Sequence, residues 1–149
     1  GSIIRPGEIQ RMSAGTGVTH SEFNHSKTAP LHFLQIWIVP SQQGIKPGYE
    51  QKAISRIDDK LILIGAEHGS DDSVTVHQDV ALYVAYLNQS SVIEHAFQSG
   101  RRGWLQLIKG KISLDGQVMS AGDGAAIMDV ANIQINCIET AELLLFDLA

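Results

Sequence analysis

Apolar and polar residues alternate in short runs along this chain. Turn residues break the runs at intervals of about 8–12 residues, the spacing of an all-β sandwich or barrel. No stretch keeps a helical period long enough to form a helix of ordinary length. The alternation predicts strands over 8–12, 18–23, 31–39, 49–54, 60–64, 74–78, 81–87, 91–97, 103–109, 111–118, 124–128, 132–138 and 141–146. Lys109-Gly110 and Asp115-Gly116 carry the clearest hairpin signals, because a glycine in a two-residue loop accepts the positive φ that a tight turn demands.

The run SQQGIKP at 41–47 is polar, contains glycine and ends on proline, so it reads as a surface loop or linker. The strands before it are too few to enclose a core. Those after it suffice for a jelly roll. The expected organisation is therefore residues 3–47 as the trailing strands of one barrel and residues 48–149 as a complete second barrel, with 49–54 bridging them. Within 31–39, Leu34, Ile36 and Ile38 alternate with Phe33 and Trp37, so both faces are apolar. Such a strand is expected to pack on the second unit or to pair between chains, and a homodimer through the N-terminal strands is the expected assembly.

Composition narrows the partners. A net charge of −5 with no basic stripe lacks the electrostatic footprint of a nucleic-acid binder. No apolar run approaches the ~20 residues of a membrane helix, so no membrane partner is expected. No signal-peptide pattern is visible, and Gly1-Ser2 is read as a cloning scar, outside the fold argument. The single cysteine, Cys137, cannot form an internal disulfide. It lies in the alternating run NIQINCIE and is expected to be a small buried side chain. A reducing cytoplasm is the expected compartment.

Chemistry concentrates at His20 and Glu22. They stand two apart in the predicted strand 18–23, so imidazole and carboxylate share a face. A non-haem iron site usually combines two histidines with one carboxylate and leaves positions open for oxygen or substrate. Gly17, His20 and Asn24 match Gly-x-x-His-x-x-x-Asn, the closing half of a cupin metal motif, with Gly15 where a proline is usual. The wider wording is more specific: MSAGTGVTHSEFN at 12–24, LHFLQIWIVP at 31–40, GYEQK at 48–52, VHQD at 76–79, RRGWLQLIKG at 101–110 and LLLFDL at 143–148. From Ile3 to Leu148 the chain resembles the pirin family, bicupin proteins that include bacterial quercetin 2,3-dioxygenase-like members.

The resemblance implies an all-β cupin jelly roll and an Fe(II) ion in the first barrel. The metal would be held by a His-x-His pair, then by His20 and Glu22. No His-x-His occurs in this sequence, so two of the four expected ligands are absent and weak iron binding is expected of this chain alone. For an intact family member the resemblance implies an iron-dependent dioxygenase that opens a flavonol such as quercetin. There His20 would be a neutral ligand, Glu22 a ligand and base, and Gln35 and Trp37 pocket-lining residues. The alternative is a non-enzymatic binding module that acts as a protein partner.

The other histidines read differently. His32 could approach His20 across strands and replace a ligand. His25 follows Asn24 in a turn and reads as solvated. His68 lies in a loop with Asp71 and Asp72, which solvate it or cap a turn. His77 reads as a structural, hydrogen-bonded residue. In the second barrel Ala96, Gln98 and Arg102 fall at the ligand positions, so no metal is expected there. His95 is one place out of register and would face away from Ala96. Arg101-Arg102 reads as a solvated or salt-bridged pair.

Overall fold

The computed structural model describes all 149 residues. The fold is all-β and built from strands β1 (Glu8–Ser13), β2 (Gly48–Ala53), β3 (Leu61–Ala66), β4 (Val74–Thr75), β5 (Val80–Leu87), β6 (Val92–Ala96), β7 (Arg102–Leu114), β8 (Gln117–Ser120), β9 (Gly124–Ile127) and β10 (Asn132–Leu148). There is no helix long and apolar enough to cross a membrane.

Eight strands form one sheet in the order β4-β3-β5-β10-β7-β8, with β6 added to β10 and β9 to β7. The long strand β10 is its spine. Residues Ala141 to Leu148 pair with β5, residues Asn132 to Asn136 pair with β6, and β7 runs along its other edge. One strand thus serves both halves of a jelly roll.

Sequence reasoning divided β7 and β10 into two strands each. The structure joins them, and Lys109-Gly110 is not a hairpin. Gly110 has φ +81°, and a Cβ there would meet Thr140 and Ala141 on the neighbouring strand. The β7–β10 register shifts between Cys137 and Leu143. An irregularity of this kind bends a strand without ending it, so a turn-like glycine sits inside a continuous pair. Asp115-Gly116 is the expected two-residue hairpin, with φ of 46° and 87° at its two positions.

The predicted strands 18–23 and 31–39 do not form. Neither segment has a ladder partner; 18–23 is exposed throughout and 31–39 is exposed except at the half-buried Ile38. A strand exists only by pairing, and apolar alternation marks a segment suited to a partner rather than one that has found it. The predicted strand 74–78 shortens to β4, because positive φ at His77 turns the chain away.

The main core lies inside the barrel. Leu105, Leu107 and Ile112 of β7 meet Ile135, Leu143 and Leu145 of β10, each fully buried. Cys137 belongs to the same cluster, as expected, and burial pushes its thiol pKa up. A smaller cluster on the outer face joins Ile64, Leu82, Val84 and Leu144, with Ile9 and Ile54 packed over it. β2 pairs with β1 alone, so this two-stranded ribbon covers the outer face.

Glu50 anchors the ribbon. Its carboxylate accepts from the Thr75 N–H at 3.0 Å and from Arg11 Nη2 at 3.1 Å, and lies 3.0 Å from Lys52 Nζ. Burial alone would raise its pKa. The hydrogen bonds from Thr75, Lys52 and Arg11 outweigh burial and hold it below the ordinary value. The stabilisation is therefore full above the unfolded glutamate pKa of about 4.3 and is lost as pH falls through the lower native value. Amide protection factors, taken relative to the intrinsic exchange rate at each pH, are expected to fall in β1 and β2 between about pH 5 and pH 3, while those of β7 and β10 hold. An equal fall in both regions would show that Glu50 does not anchor the ribbon separately.

Candidate functional site

His20 and Glu22 stand in exposed, unpaired chain. Asn24, the third motif residue, organises the next turn: its side chain donates to the Ala29 carbonyl at 2.8 Å and accepts from the Ser26 N–H at 2.9 Å. His25 is exposed, as expected of a solvated residue. His32 is exposed too, and the strand pairing that would have brought it to His20 is absent. Gln35 and Trp37 are exposed and line no pocket described here. No group of three His, Cys, Asp or Glu side chains able to hold a metal ion occurs in the chain. Imidazole and carboxylate are suitable donors for a divalent first-row metal. Two of them on an open segment do not make a site by themselves, so no chemistry is assigned to a metal in this chain.

A different constellation is assembled inside the barrel. Along β6 and the residue after it, Ile93, His95 and Phe97 face inward, while Glu94 and Ala96 face out. The expected ligand positions Ala96 and Gln98 are exposed and border the same pocket as His95. His95 does face away from Ala96, and what it faces is Asp147. On β10, Leu143, Leu145 and Asp147 share the inward face, and Asp147 is only 7% exposed.

Asp147 joins two partners. Its Oδ2 lies 2.9 Å from His95 Nε2, and its Oδ1 accepts from Arg101 Nε. Arg101 also donates from Nη2 to the Asp147 carbonyl at 2.9 Å and from Nη1 to Asp79 at 2.8 Å. The hydrogen bonds that Arg101 donates to Asp147 and Asp79 raise its pKa. Arg101 is thus the salt-bridged member of the arginine pair, while Arg102 is exposed. The His95 ring sits between aromatic neighbours, 5.3 Å from Tyr83 and edge-on to Phe97 at 4.7 Å. Burial first, then the Asp147 charge, raise the Tyr83 pKa, so its phenol keeps its proton.

Asp79, Tyr83, His95, Arg101 and Asp147 line an open pocket of about 430 Å³, with Ala66, Val80 and Ala81 supplying apolar wall. Glu67 and His68 border it and also border a second cavity of about 600 Å³ lined by Ser41, Gln42 and His77. The His77 ring makes no hydrogen bond within the protein. Its backbone carbonyl does the work instead, accepting from the Ser41 N–H at 2.9 Å. Asp71 and Asp72 are exposed, and Ser70 with Ser73 closes that turn.

Sequence reasoning missed the Asp147 constellation. The inward register of a carboxylate in LLLFDL was the available signal. Its pairing with a histidine 52 residues away was not.

An all-β cupin jelly roll with a polar cavity in its barrel is the class of protein that these features define. The chain matches the family described as "Quercetinase C-terminal cupin domain" over residues 63–148, and the family described as "Pirin" over residues 1–38. It is 42% identical over 145 residues to the quercetin 2,3-dioxygenase of Escherichia coli strain K12, covering 97% of this chain and 62% of that protein. The crystal structure of YhhW from Escherichia coli superimposes with a TM-score of 0.92 at 41% identity, covering 98% of this chain and 62% of that one. The bacterial pirin YhhW in complex with nickel(II) gives 0.88 at 42% identity, covering 95% and 61%. A quercetin 2,3-dioxygenase from Acinetobacter baumannii, 13% identical with a TM-score of 0.58, covering 74% of this chain and 39% of that one, shares the fold. The chain belongs to the pirin family, and spans 62% of the length of its Escherichia coli relative.

Proposed function

We propose that this chain contributes to an iron-dependent quercetin 2,3-dioxygenase in which His20 and Glu22 are two of the metal ligands. The observation that carries the reading is 42% identity across 97% of the chain to a protein named for that activity. The cupin wording Gly17, His20 and Asn24 supports it, as does a pirin structure of similar fold in complex with nickel(II). The remaining donors come from outside the residues described. Residues 3–47 and 48–149 are proposed as parts of two successive cupins. A flavonol is the proposed substrate and the cytoplasm the proposed compartment, in keeping with a lone buried cysteine.

The test is substitution in a protein that carries the complete ligand set. Glu22→Gln and His20→Ala are each expected to lower bound iron and to cut flavonol turnover by at least about 100-fold, more than the loss of an outer-shell partner. Full turnover and full metal content in Glu22→Gln would overturn the ligand assignment.

One observation favours a second role, as a partner in protein association. Phe23, Trp37 and Val39 are 83%, 87% and 81% exposed. The proposed assembly is a homodimer through this N-terminal segment.

A further inference from the structure

The polar run 41–47 reads as a free linker in the sequence, yet the structure fastens it. Its partner is the turn Val76 to Asp79, between β4 and β5. The His77 carbonyl accepts from the Ser41 N–H at 2.9 Å and from the Ser41 hydroxyl at 3.2 Å. The Gln78 side chain donates from Nε2 to the Val39 carbonyl at 2.9 Å. Its Oε1 accepts from the Asp79 N–H, also at 2.9 Å. That second bond fixes the amide one way round, because turning it over would set donor against donor and acceptor against acceptor. Residues 39–41 lie in no strand and make no other hydrogen bond within the chain.

The turn is tethered in its own right. Asp79 Oδ1 accepts from Arg101 Nη1 at 2.8 Å, and Arg101 is gripped by the carboxylate and the carbonyl of Asp147. Polar contacts thus run from the buried Asp147, through Arg101 and Asp79, to the turn that holds 39–41. The far end of the run 41–47 is held by packing. Gly15 has φ +54°, and a Cβ there would run into the Ile45 carbonyl oxygen and Pro47. Residues 16–38, which include His20 and Glu22, are therefore one excursion with both ends tied down. Gly15 lies against 45–47, and Val39 to Ser41 lie against 77–78.

We infer that the turn Val76 to Asp79 is a latch by which the second barrel fixes the base of this excursion. Gln78 is its contact, and Asp79, held by Arg101, is the positioning residue behind it. The latch rests on hydrogen bonds within the chain and is independent of the metal reading. An ordinary loop contact responds only to the residues that make it. A latch set from the barrel also responds to Asp79, whose side chain makes no hydrogen bond to 39–41. The Asp79 side chain is 55% exposed, so its loss changes global stability little and leaves the local effect readable.

The experiment is amide hydrogen exchange by NMR on the full chain at neutral pH, with protection taken relative to the intrinsic rate. Ser41 is exposed, so protection of its amide reports the hydrogen bond to His77. Gln78→Glu keeps the size of the side chain and its acceptor for Asp79 but loses the donor to Val39. It is expected to lower Ser41 protection at least about fivefold, the worth of one ordinary hydrogen bond, with β7 and β10 unchanged. Asp79→Ala is expected to lower it at least about twofold, within the range of a partly exposed ion pair. Asp79→Asn keeps an oxygen for Arg101 and should restore most of that loss. An unprotected Ser41 amide in the wild-type chain overturns the latch outright. Unchanged Ser41 protection in Asp79→Ala, or an equal loss in Asp79→Asn, overturns the positioning role. A fall that β7 and β10 share equally is a global loss of stability and overturns it as well.

Discussion

Asp147→Ala is expected to destabilise the second barrel by about 3 kcal/mol, the lower end of the cost of breaking a buried ion pair. Asp147 is 7% exposed, and its carboxylate joins the side chains of His95 on β6 and Arg101. Removing it leaves a guanidinium whose side chain is 18% exposed without its nearest counter-charge. That residual exposure, and the second partner Asp79 at 2.8 Å, keep the loss from reaching the top of the range. A surface pair sets the scale. Lys109–Glu142, with side chains 65% and 27% exposed, should cost at most about 1 kcal/mol when broken. Urea unfolding of Asp147→Ala, Arg101→Ala and the double variant measures the coupling directly. The double variant should lose less than the sum of the singles, because the charge left behind by either single change is gone. Strict additivity, or a loss in Asp147→Ala no larger than the surface pair's, would show that the constellation is not a structural unit.

The same residues show what a sequence makes legible. Period-two alternation located the strands because each element buries one face, and that requirement is local. It placed Cys137 of β10 inside as well. What it could not see is pairing. Asp147 and His95 meet only because β10 is shared by both halves of the jelly roll, and that follows from bulges near Gly110 which read locally as a turn. Residues 31–39 show the opposite failure. Their apolar alternation is that of a strand, yet no neighbour in this chain completes a ladder. His20 and Glu22 were legible as a motif from residue type and spacing. Whether a donor set closes around them depends on groups that converge from elsewhere, and spacing along one segment holds no information about that.

The second large effect expected is self-association through residues 23–39. Phe23, Trp37 and Val39 are all more than 80% exposed, and Leu31, Phe33 and Leu34 lie beside them, 56%, 53% and 43% exposed. Burying each large apolar side chain contributes roughly 1.5–3 kcal/mol. Association costs an estimated 4–15 kcal/mol in lost freedom. Six such side chains on each of two chains exceed that cost even when only part of their surface is covered. The open backbone of 31–39 adds ladder hydrogen bonds if two copies pair antiparallel about a two-fold axis. Light scattering of the chain at micromolar concentration is therefore expected to give the mass of a dimer. Phe23→Ser, Trp37→Ser and Val39→Ser together should yield a monomer, with little change in stability because the positions are exposed. Ile36→Pro separates the two contributions. It removes a backbone donor from the middle of the would-be ladder but leaves Phe23, Trp37 and Val39 in place. A marked loss of dimer in Ile36→Pro identifies strand pairing, and an undiminished dimer identifies apolar packing alone. A wild-type chain that is monomeric, or a triple serine variant that still dimerises, would show that this surface does not join two copies.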